Sequence, residues 1–121
     1  MKHYVLDFIP PVVGIEREFN TIRLGMAWAK KLQPGDHVYL MDNKERRIIG
    51  LAEVTALDVD TLVNICQKHG HLNHTQISPS EKPECSLDAG ERMMNVILKI
   101  YGPHIALPTK KTTAISLKRL C

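Results

Sequence analysis

"HVYLMDNKERRIIGLAEVTAL", His37–Leu57, is the stretch on which the reading of this chain turns. Its first limb alternates, with Val38 and Leu40 on one face and His37, Tyr39 and Met41 on the other. Asp42-Asn43-Lys44-Glu45 is turn chemistry, because Asp and Asn side chains accept hydrogen bonds from backbone a residue or two ahead. The second limb sets Ile48, Gly50, Ala52, Val54 and Ala56 against Ile49, Leu51, Glu53, Thr55 and Leu57. Both of its faces are largely apolar. The stretch therefore predicts a β-hairpin whose second strand is central in a sheet. Glu53 is the one acid within that apolar strand.

Working outward, Gln33-Pro34-Gly35-Asp36 is a turn signal just before the hairpin. Leu24–Leu32 before it has the composition of one or two helical turns, and Asn20–Arg23 reads as a short strand or turn. Val12–Phe19 is expected to be a short helix, with Val12, Ile15, Glu16 and Phe19 along one side. Tyr4–Ile9 is apolar and β-prone, and Pro10-Pro11 stops it. Downstream, Asp60-Thr61 caps a helix from Leu62 to about Lys68, ended by His69-Gly70. A polar loop follows over His71–Glu84. Asp88 caps the clearest helix, Ala89–Tyr101, whose buried side carries Met93, Ile97 and Ile100 or Tyr101. Gly102-Pro103 stops it, and Thr113–Leu120 alternates as a last strand. Antiparallel strands with segregated helices define an α+β fold, or a small barrel with helices on its outside.

The 121 residues are expected to form a single domain, 1–121. No apolar run approaches the roughly 20 residues that cross a bilayer, and the N-terminal segment is too broken by charge for a signal peptide. These features place the protein in the cytoplasm as an expectation. Cys66, Cys85 and Cys121 are an odd set, for which reduced thiols are the default. Net charge is +3, and its distribution carries more information than its sum. Basic blocks over Arg17–Arg47 and Lys99–Cys121 flank an acidic middle. Brought together, the blocks make a positive face suited to a phosphate-bearing partner. Left apart, Lys110, Lys111, Lys118 and Arg119 simply solvate an edge strand.

The ordered set "FNTIR", "LQPGDHVYL", "RRIIGLAEVTAL", "VILKIYG" and "TAISLKRL" resembles the ASCH domain family of the PUA-like superfamily across nearly the whole chain. That resemblance implies a small PUA-like β-barrel with flanking helices and a cleft beside the Thr-x-Arg strand. It implies RNA or a nucleoside or nucleotide as the ligand. Some compact relatives are amidohydrolases that remove an acyl group from N4-acetylcytidine, using a lysine three residues before the threonine, the threonine, and a glutamate after the first long helix. Here the threonine matches Thr21 and the arginine of the motif matches Arg23. The lysine position holds Glu18, and the glutamate's region near Gly70 and His71 holds no carboxylate. The binding reading is therefore primary. The alternative is an amidohydrolase with a non-standard set: Glu18 or Glu53 activating water and Thr21 positioning substrate.

Thr21 and Arg23 share a face if the stretch is extended. A hydroxyl beside a planar guanidinium grips a phosphate or the edge of a base; the other reading pairs Arg23 with Asp36 or Glu53. Trp28 offers a stacking face next to Lys30 and Lys31, which neutralise phosphate, or else Trp28 is core. Tyr101 is a second aromatic candidate of the same kind. Cys66, His69, His71 and His74 are residue types that zinc accepts, but they do not form two separated pairs. A helix C-terminus running into a His-rich loop accounts for them, so neither metal nor cofactor is expected.

Overall fold

The structure, a computed structural model, describes residues 3–8, 18–70, 73 and 89–121. Within these residues five strands and three helices follow in the order β1 (His3–Phe8), β2 (Glu18–Leu24), α1 (Ala27–Lys31), β3 (His37–Asp42), β4 (Arg47–Thr61), α2 (Leu62–His69), α3 (Ala89–Tyr101) and β5 (Lys111–Arg119). They build one sheet in the order β1-β3-β4-β5-β2. Only the β1–β3 pairing is parallel.

The β3–β4 hairpin forms where the sequence places it. The Asp42 carboxylate accepts from the backbone N–H of Lys44 and Glu45, at 2.9 and 3.0 Å, which fixes the loop. Arg46 takes a left-handed φ of 58° to complete the reversal. β4 is central, as its two apolar faces predict, and at 15 residues it outruns the sequence reading. Its first half pairs with β3 and its second with β5, with an irregularity between Val54 and Ala56.

One face of the sheet buries Leu6, Phe8, Phe19, Val38, Leu40, Val54 and Ile115 among its core residues. A second cluster lies under the helices, where Leu62, Ile65 and Cys66 of α2 and Met93 and Ile97 of α3 meet Ile22 and Ala114. The i, i+3, i+4 spacing of these helical residues puts them on one stripe. Thr61 caps α2, its hydroxyl accepting from the Asn64 N–H. Gly102, at φ 85°, donates to the Leu98 carbonyl and ends α3.

Two expectations are corrected. Glu18 and Phe19 are strand and not the end of a helix; pairing with Lys118 and Leu117 of β5, and burial of the Phe19 ring against Phe8, override local pattern. The rest of Val12–Phe19 lies outside the described residues. The barrel is also not closed, because β1 and β2 are the two edges of the sheet and share no ladder. Where a ladder would run, the Arg23 guanidinium of β2 donates to the Asp7 carbonyl of β1.

α2 is tied to β4 by charge. Asp58 Oδ2 lies 2.9 Å from Lys68 Nζ and 2.7 Å from His69 Nε2, and Asp60 Oδ2 lies 3.1 Å from Lys68 Nζ. Contact with His69, then with Lys68, holds the Asp58 carboxyl below its ordinary value. Bonds from Asn64, the Thr61 N–H and Lys68 bring Asp60 from 3.8 to about 2. A depressed carboxyl contributes stability that is present above its unfolded pKa and lost as pH falls through its folded one. The melting temperature of the wild type is therefore expected to fall more steeply between about pH 4 and pH 2 than that of an Asp58→Asn/Asp60→Asn double variant. Melts across that range check it; parallel curves would remove the network's role. The effect is small, because the groups are solvent-screened.

Candidate functional site

β2 positions the centre of the site. Thr21 stands across from Ile115 and Arg23 across from Thr113. With the strand extended, the two side chains meet: Arg23 Nε donates to Thr21 Oγ1 at 3.1 Å. Arg23 Nη1 lies 3.4 Å from Asp7 Oδ1, and its Cζ sits 5.2 Å from the centre of the Phe8 ring. The partner is thus neither Asp36 nor Glu53. Asp36 is buried and accepts from the Gln33 N–H in its own turn. The Arg23 side chain keeps 18% of its surface exposed. Burial lowers its pKa from the usual arginine value, opposed chiefly by the neighbouring charge of Asp7. The group stays charged in ordinary solution.

Arg23, Asp7 and Thr21 line a cavity of about 70 Å³, together with Tyr101 and Asn73. Met93 and Ile97 of α3 supply an apolar wall. Tyr101 and Ile100, 39% and 45% exposed, lie at the end of α3 where Gly102 stops the helix. The space holds several waters and is smaller than the roughly 300–1,000 Å³ pockets that enclose whole ligands.

Three of the candidate ligand-binding residues, Thr21, Arg23 and Tyr101, line this cavity; Trp28, Lys30 and Lys31 do not. α1 has no fully buried residue. Trp28 is half-buried, edge-on to Tyr4 at 6.1 Å, with Lys31 Nζ 4.9 Å from its ring centre. Lys30 and Lys31 are exposed. Glu18 is exposed across from Lys118. Glu53 is half-buried, in register with His37 on one side and Lys118 on the other. Neither glutamate lines the cavity.

Two polar lining residues, Asp7 and Asn73, went unnoticed in the sequence. Asp7 is a lone acid in an apolar strand, a signal that was available. Asn73 is one polar residue in a polar run and carries none. It bridges to Asn20, with its amide 3.3 Å from Asn20 Oδ1, while Asn20 Nδ2 donates to the His69 carbonyl at 2.8 Å. Of the zinc-type residues, Cys66 is buried in the helix-side core, and burial pushes its thiol up to about 11. His69 faces Asp58; His71, His74 and Cys85 lie outside the described residues. Among the described residues no group of three metal-ligating side chains converges, and no helix is long and apolar enough to cross a membrane.

No family model matches the chain, and no curated protein does. Solved structures do. The hypothetical protein PH0355 aligns over 99% of this chain and 100% of its own, at TM-score 0.65 and 15% identity. The protein EF3133 from Enterococcus faecalis V583, of family DUF984, aligns over 99% and 76% at 0.58 and 8%. An ASCH domain from Lactobacillus crispatus JV V101 aligns over 98% and 79% at 0.55 and 11%. The chain therefore has an ASCH-like α+β fold. In this instance the sheet is open, with the candidate site at the seam between its two edges.

Proposed function

We propose that this chain is an RNA- or nucleotide-binding module whose cavity beside β2 receives part of the ligand. The observation that carries the reading is convergence: Thr21 and Arg23 of β2 border one opening with Tyr101 of α3, which is distant from them in sequence. A guanidinium held by a hydroxyl and a carboxylate is pre-organised for planar recognition, and an exposed tyrosine at the end of a helix offers a stacking face. The ASCH-like fold adds support, since the family is often RNA-binding. Lys30 and Lys31 meet backbone phosphate outside the cavity in this reading.

Fluorescence anisotropy with a labelled single-stranded RNA tests it. Affinity is expected to fall as salt rises from 50 to 200 mM, because displaced counterions drive part of the binding. Arg23→Ala is expected to weaken binding about tenfold, the loss of one good base or phosphate contact. Equal affinity of Arg23→Ala and wild type would overturn the assignment. No observation favours the amidohydrolase alternative, since Glu18 and Glu53 are both away from the cavity that Thr21 lines.

A further inference from the structure

We infer that Arg23 and Asp7 together form a donor–acceptor site that reads the edge of a nucleobase, and that phosphate stays out of the cavity. The inference rests on the nucleotide-binding reading and specifies which part of the ligand enters.

The hydrogen-bond count gives the first reason. A guanidinium has five N–H groups. Nε donates to Thr21, Nη1 to Asp7 Oδ1 and Nη2 to the Asp7 carbonyl. Two N–H groups have no partner among the described residues. Asp7 Oδ1 is engaged by Arg23, while Oδ2 has no partner among the described residues. The Asp7 side chain is 48% exposed. Spare donors and a spare acceptor thus stand side by side on the wall of one cavity.

Charge gives the second. A phosphate drawn to Arg23 would lie within a few ångströms of the Asp7 carboxylate, and like charges at that range oppose binding. Arg23 is already neutralised by that partner. An uncharged base edge meets both groups at once: Arg23 donates to a ring nitrogen or carbonyl, and Asp7 accepts from an adjacent N–H or exocyclic amine. The surroundings agree. Phe8 underlies the guanidinium, and Met93 and Ile97 wall the space, which suits a flat, weakly polar ring better than a hydrated anion. The small volume admits an edge and leaves sugar and phosphate outside.

The test is calorimetry with cytidine, guanosine, ribose 5-phosphate and inorganic phosphate on wild type and Asp7→Asn. At least one nucleoside is expected to bind wild type, and neither ribose 5-phosphate nor inorganic phosphate to displace it. Asp7→Asn keeps the size of the side chain and the backbone carbonyl that Arg23 uses. It is expected to weaken nucleoside binding about tenfold, with its melting temperature checked alongside. Displacement of nucleoside by ribose 5-phosphate, or an unchanged nucleoside affinity in a folded Asp7→Asn, would overturn the inference while leaving nucleotide binding intact. If neither nucleoside nor the RNA oligonucleotide binds wild type, both readings fall. The competition on wild type stands even if the variant folds poorly.

Discussion

Ile115→Ala is expected to lower the free energy of unfolding by about 2–5 kcal/mol, with a drop in melting temperature of roughly 10 °C or more. β5 lies between β4 and β2, and Ile115 stands in register with Leu57 on one side and Thr21 on the other. Its side chain is 0% exposed and packs with Leu6, Phe8 and Leu40 in the sheet-side cluster. Truncation removes transfer free energy and leaves a void that strands hydrogen-bonded on both sides cannot collapse to fill. Urea unfolding followed by circular dichroism measures it. A loss under about 1 kcal/mol would show that this cluster is not the centre of the core.

Asn20→Ala is expected to cost up to about 3 kcal/mol, although it removes no apolar surface of consequence. Asn20 is buried at the bridge between β2 and Asn73, and its amide is a donor to the His69 carbonyl at the end of α2. Alanine leaves that carbonyl without this donor and takes the Oδ1 acceptor from Asn73. Asn20→Asp is expected to be at least as damaging, because a carboxylate has no N–H for the carbonyl and its charge is costly to bury. Thermal melts of the two variants decide the matter. A stable Asn20→Asp would mean that the site is wetter than its burial implies.

Much of the architecture was legible because its signals are local. Two apolar faces over Arg47–Leu57 announced a central strand, Asp42 and Asn43 its turn, and Met93 and Ile97 the packed side of α3. What escaped depended on pairing between distant segments. Phe19 completes a helical pattern with Val12, Ile15 and Glu16, yet β5 recruits it and Glu18 into a strand. The family resemblance implied a closed barrel, but closure depends on whether β1 and β2 form a ladder, and no period of two or 3.6 encodes that. The site divides the same way. Thr21 and Arg23 could be placed on one face from strand alternation alone. Asp7, sixteen positions before Arg23, could not be named as its partner, and the two turns of chain before Gln33 could not be phased well enough to show that Trp28, Lys30 and Lys31 fall away from the cavity.

The seam between β1 and β2 has a mechanical meaning. A cylinder sealed all round by backbone ladders widens only by unzipping a strand, and every carbonyl in that strand loses its partner together. Here, among the described residues, the hydrogen bonds between the rims come from the Arg23 side chain, so a change of its rotamer would release them while every ladder in the sheet stays made.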